Sequence, residues 1–150
     1  MWIEGVQTMT YKEDGGNKMS EIITKEQAAE IAVEYKHNGY NCSQAVIKGL
    51  ANYYDVNADE LHKMAAGFGV GMGTMGATCG ALVGANIFAG MKTEGQRTMM
   101  KSKELFNEFE SSCGASVCKD LKGFETGKVI CSCDDCVRNA VMAAVNVLDY

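Results

Sequence analysis

The chain has 150 residues, 47% of them apolar and 22% charged, which fits a single globular domain and excludes a disordered chain, a collagen-like repeat and a coiled-coil rod. A net charge of −5, a pI near 5.0 and dispersed basic residues exclude nucleic acid as a partner, because neutralising phosphates takes a basic face. Two counts stand apart: no proline, against about seven in an average composition, and seven cysteines, an odd number that disulfides alone cannot absorb.

In chain order, residues 1–20 read as a flexible tail, with mixed polarity, a Gly15-Gly16 pair and no sustained period. They contain no apolar stretch of signal-peptide length, so the expected address is cytoplasmic, where thiols are held reduced. The organised domain is expected over 21–150. Thr24 and Gln27 form a capping box, followed by Ala28, Ile31, Ala32 and Tyr35 on one helical face, and Asn38-Gly39 stops that helix. Asn41 with Gln44 opens a second helix whose apolar stripe is Ala45, Val46, Gly49, Leu50 and Tyr53, with Cys42 in its first turn. Asn57 and Glu60 predict a third box, with Leu61, Met64, Ala65 and Phe68 turned inward.

Residues 65–91 then run uncharged, long enough to raise a membrane span. Eight of these 27 residues are glycine, too many for the first half to hold a helix, and the half from 78 to 91 is too short to cross. A buried hairpin in a helical bundle is the better reading, with Gly80 and Gly84 on one face allowing another backbone to approach. A longer helix follows over about 96–111, with Met99, Met100, Leu105, Phe106 and Phe109 apolar. A short one spans 117–121 behind Ser116, and a last one starts near Ser132 and carries Val137, Val141, Ala144, Val145 and Leu148. No period-two strand of five residues appears, and Lys128-Val129-Ile130 is too short. The predicted fold is an all-α bundle of six to seven helices.

Gly71-x-Gly73-x-x-Gly76 matches the dinucleotide fingerprint only as a string. A capped helix stands before it where the mechanism requires a strand, so close packing of backbones is the preferred reading. The cysteines are more informative. Cys42, Cys79 and the Cys133/Cys136 pair each fall at or near a predicted helix start, where amide groups and the helix dipole favour thiolate. Thiolate is the form that binds metal, attacks disulfides and passes electrons; a single buried cysteine can equally be a small core hydrophobe. Cys133-x-x-Cys136 suggests a dithiol–disulfide couple, although Asp134 and Asp135 between the thiols oppose ionisation unless they simply occupy a favourable first turn. Cys113-x4-Cys118 is not a zinc-knuckle unit, so zinc is compatible but unspecified, as is iron–sulfur ligation by separated cysteines. His37 and His62 read as surface residues, the ten methionines as core filler, and no hydrolytic triad or carboxylate pair stands out.

Asn41-Cys42-Ser43-Gln44-Ala45-Val46, Gly67-Phe68-Gly69-Val70-Gly71-Met72-Gly73 and Cys79-Gly80-Ala81-Leu82-Val83-Gly84 together resemble the C_GCAxxG_C_C family of redox-active proteins. The resemblance runs over about residues 24–148. It implies that the family's first cysteine falls on Cys42, its motif cysteine on Cys79, the third on Cys118 and the fourth on Cys136. Cys113, Cys131 and Cys133 are then additions, of which Cys113 or Cys133 could take a family position. The expectation is a cluster of Cys42, Cys79, Cys118 and Cys136 that holds an iron–sulfur cluster or another iron or zinc centre. Gly80 and Gly84 would line the cofactor, and electrons would pass to a redox partner protein. Two other readings stay open: a thiol–disulfide oxidoreductase using Cys133 and Cys136, and a non-catalytic interaction module with buried cysteines. A homodimer is compatible with either; a membrane span and nucleic acid are not expected.

Overall fold

The computed structural model describes residues 22–149; the tail expected over 1–20 lies outside them. Among the described residues there are seven α-helices and no strand. Helices α1 (Lys25–His37) and α2 (Cys42–Tyr54) both start from the predicted boxes. Thr24 Oγ1 accepts from the Gln27 N–H at 3.0 Å while Gln27 Oε1 accepts from the Thr24 N–H at 2.9 Å. Asn41 and Gln44 repeat the exchange at 3.0 and 3.1 Å. Each pair satisfies amide groups that a helix start leaves without partners.

The third helix departs from expectation. Helix α3 is only Asp59–Met64, with Ala58 at its cap position. Asn57 Oδ1 accepts from the Asp59 N–H at 2.9 Å, a local turn that competes with the box, and Met64 is 65% exposed. The glycine run then replaces regular helix by a tight turn, Ala66–Phe68, and a wide one, Gly71–Met75. Helices α4 (Gly80–Lys92), α5 (Thr98–Cys113), α6 (Cys118–Lys122) and α7 (Cys133–Leu148) complete the chain. In α5 the buried face is Leu105, Phe109 and Cys113, which leaves Met99 and Met100 outside.

Helix α7 packs against α1, α2, α4 and α5, and α2 packs against α1 and α4. The core between them holds Ile31, Val46, Ile47, Leu50, Leu82, Phe88, Leu105, Phe109, Val137 and Val141, all essentially without exposed surface. Close crossings rest on missing side chains. A Cβ on Gly49 would stand 2.7 Å from the Ala32 Cβ, and one on Gly84 would run into the Ser43 backbone. Helix α4 therefore lies directly on the first turn of α2, beside Cys42. No helix among the described residues is long and apolar enough to cross a membrane; α4, the helix of the uncharged stretch, is 13 residues long.

Candidate metal centre

Three long helices and one short one begin at cysteines: α2 at Cys42, α4 behind the cap residue Cys79, α6 at Cys118 and α7 at Cys133. Two of these starts are clasped together. The Cys79 N–H donates to the Ser116 carbonyl at 2.7 Å and the Cys118 N–H to the Ala77 carbonyl at 3.0 Å, an isolated antiparallel bridge centred on Thr78 and Val117. The glycine run packs onto the same place. A Cβ on Gly80 would lie 2.6 Å from Cys42 Sγ and 2.5 Å from the Phe68 carbonyl, one on Gly69 2.6 Å from the Asn41 Cγ, and one on Gly71 2.7 Å from the Cys118 Cβ. Of the glycines in the apparent fingerprint, Gly71 serves close packing on a thiol residue, while Gly73 faces open space and Gly76 meets only Thr74. Val70, Met72 and Met75 take left-handed backbone conformations in the same loop, unusual for a β-branched residue such as Val70.

The result is a partly open cavity of about 210 Å³ whose wall includes Cys42, Cys79, Cys118 and Cys133, with Lys36 and Lys122 at its edge. Burial pushes the Cys118 thiol up. Cys133 is lowered to about 6, first by its hydrogen bond with Cys42 and then, against the opposing effect of burial, by Lys122 and Lys36. The same bond, with burial, holds Cys42 well above the ordinary thiol range. Cys79 falls to about 7, through a hydrogen bond with Cys136 and the Ala81 and Leu82 amides of the α4 start. Lys122 would lose basicity by burial, but Cys136, Cys133, Cys79 and Cys118 together raise it. Its ammonium is the positive charge that makes thiolates affordable in this wall.

Cys136 lies deeper in the first turn of α7. It has no exposed surface, its Sγ donates to the Cys131 carbonyl at 3.7 Å, and it groups with Cys113 and Cys131. The sulfurs of these three lie within 4.8 Å of one another, close enough to hold a metal ion. Of the four cysteines expected to gather, the structure brings Cys42, Cys79 and Cys118 to one cavity, while Cys136 stands behind its wall, against Cys79 and Lys122. Cys133 stands on the wall instead. Of the two expected glycines, Gly80 lines the cavity and Gly84 packs on Ser43 behind it. The acids between the thiols turn outward: Asp134 pairs with Lys36 at 3.6 Å and His37 at 2.8 Å, and Asp135 with Arg138 at 2.8 Å. Lys122 and Asn139, which contact sulfur here, escape a sequence reading confined to cysteine spacing. The one available signal for Lys122 was its place four residues after Cys118, on the same side of a short helix.

The family model described as "Putative redox-active protein (C_GCAxxG_C_C)" matches residues 40–147, well over half the chain. The chain belongs to this family. The matched span contains all seven cysteines. No curated protein and no solved structure matches the chain.

Proposed function

We propose that the protein is an electron carrier in which Cys42, Cys79, Cys118 and Cys133 hold an iron–sulfur cluster. One observation carries this: four thiols from four segments share a single cavity, and no three of them gather to single-ion distance. Among the described residues only Cys113, Cys131 and Cys136 bring three candidate ligand atoms within 4.8 Å. A tetrahedral ion with metal–sulfur bonds of about 2.3 Å needs sulfurs roughly 3.8 Å apart. The wider spacing and the volume of about 210 Å³ suit a polynuclear group better than one zinc ion. Such a group, when bound, supplies one-electron chemistry. The chain's own part is to present four thiols from the α2, α4, α6 and α7 starts, with Cys79 and Cys133 lowered toward thiolate in part by the Lys122 ammonium, and to keep the site compact through Gly80.

The test is anaerobic purification with iron, acid-labile sulfide and visible absorption measured on the same sample. Iron and sulfide in equal amounts, a band bleached by dithionite, and loss of both on Cys42→Ser or Cys118→Ser are expected. Iron-free folded protein with all seven thiols titratable would overturn the reading. The hydrogen bond between Cys42 and Cys133 favours a second reading, a dithiol that gives up two electrons and two protons to an acceptor and closes a disulfide. Iron-free protein with a reversible Cys42–Cys133 linkage by mass spectrometry would select it. The Cys133/Cys136 pairing has less support, because Cys136 hydrogen-bonds into the buried group.

A further inference from the structure

Behind the cavity, the buried cysteines are arranged in a way that packing alone does not require. Cys113 ends α5, where Gly114 turns the chain at φ +96. Cys131 is placed by its N–H bond to the Leu121 carbonyl, 3.2 Å, and Cys136 by the first turn of α7, whose cap Ser132 accepts the Asp135 N–H at 3.1 Å. Three separate segments thus deliver three sulfurs to within 4.8 Å, all in free cysteines, and at most 7% of any of the three residues is exposed. A disulfide could join only two of them.

Two side-chain donors reach these sulfurs, beside the Cys131 carbonyl that accepts from Cys136. Asn139 Nδ2 donates to Cys113 Sγ at 3.3 Å and lies 3.9 Å from Cys131 Sγ, and the Lys122 ammonium stands 4.0 Å from Cys136 Sγ. A neutral thiol is a weak acceptor, so an amide and an ammonium aimed at three thiols would gain little. Aimed at metal-bound thiolates, they form the outer layer that orients ligands and offsets their charge.

We infer that Cys113, Cys131 and Cys136 form a second, separate metal site that takes a single thiophilic d10 ion, zinc(II) or copper(I), through three thiolates. Binding displaces the three thiol protons to solvent and ties the end of α5 and the loop after α6 to the start of α7. Sulfur ligands select ions of this class, and bonds of about 2.3 Å in a three-coordinate plane place sulfurs about 4.0 Å apart, inside the 4.8 Å within which the three lie. No step of the proposed electron transfer uses this ion, and the site does not depend on that reading.

The experiment uses the full chain with Cys42→Ser and Cys118→Ser, which disables the cavity centre. It is titrated anaerobically with zinc(II) or copper(I) against a chromophoric chelator, and proton release is followed. A single equivalent is expected, with one of the two ions bound more tightly and three sulfur neighbours by X-ray absorption. Binding should be lost on adding Cys113→Ser or Cys131→Ser, and weakened roughly tenfold or more by Asn139→Ala. The Asn139 variant and the sulfur count serve where a cysteine variant does not fold. Absence of a bound equivalent would overturn the inference, as would an equivalent that survives Cys113→Ser. Loss of the equivalent on Cys79→Ser would also overturn it, because the ion would then belong to a four-thiolate site shared with the cavity. Iron in the wild-type chain is scored separately, so either reading can fail alone.

Discussion

Cys133 and Cys136 belong to the same first turn of α7, yet Cys133 faces a cavity and Cys136 has no exposed surface. The same contrast divides all seven thiols. The four on the cavity wall sit at four helix starts, around a cavity that Lys36 and Lys122 also line. The three behind it come from a helix end, a loop and the depth of a helix turn, and their sulfurs crowd together. Thiols at helix starts are electrostatically prepared but need not touch. Thiols crowded in a core must either share protons or share an ion. The odd cysteine count follows from this division into four and three.

The contrast breaks first in accessibility. In metal-free protein under native conditions, Cys133 should react with iodoacetamide orders of magnitude faster than Cys113, Cys131 or Cys136, which label only through opening of the bundle; peptide mass spectrometry reads the order. Because Cys133 is lowered to about 6, its thiolate is present above that value and lost below it. Its labelling rate should climb across about pH 5–7 and then level, where an ordinary thiol climbs through about 8.5. Lys122→Gln should move the Cys133 midpoint upward. Comparable labelling of both groups would erase the distinction.

Next come the glycines. Gly80→Ala and Gly49→Ala each force a methyl into contacts of 2.5–2.9 Å, and each should cost about 1–3 kcal/mol in urea denaturation. Only Gly80→Ala should also empty the cavity of iron, since Gly49 meets Ala32 and Ala28 far from any thiol. Asn41→Ala should cost about 1 kcal/mol as a lost cap. At the small end, Arg138→Ala breaks an exposed pair with Glu30 at 2.7 Å and should change stability by at most about 1 kcal/mol, leaving both thiol groups intact.

The helices were legible wherever a cap announced them. Thr24, Asn41 and Ser132 each accept the amide bond that their sequence context predicts. Asn57 misled because its side chain reached Asp59 instead, and Met99, Met100 and Phe106 misled because an apolar residue on a helix need not face the core. Within the site, Cys42 and Cys79 could be placed from motif and helix start, and Cys118 only from the family resemblance. The choice between Cys133 and Cys136 could not, since Val137, Ala140 and Ala144 put both on the buried side of α7. Depth along the axis separates them, roughly 4.5 Å at the helical rise, and depth is fixed by tertiary packing, to which periodicity is blind. Lys36 was invisible for the same reason, and Lys122 offered only its spacing from Cys118.

The clasp between Thr78 and Val117 has a temporal side. It joins two stretches separated by the whole of α4 and α5, and the cavity closes only when Cys42 and Cys133, from opposite ends of the domain, meet across it. Contacts of such sequence separation form late, after local helices and their loops have closed. A chain emerging during synthesis would therefore expose its thiols singly until α7 docks, and metal capture would report that the bundle is finished.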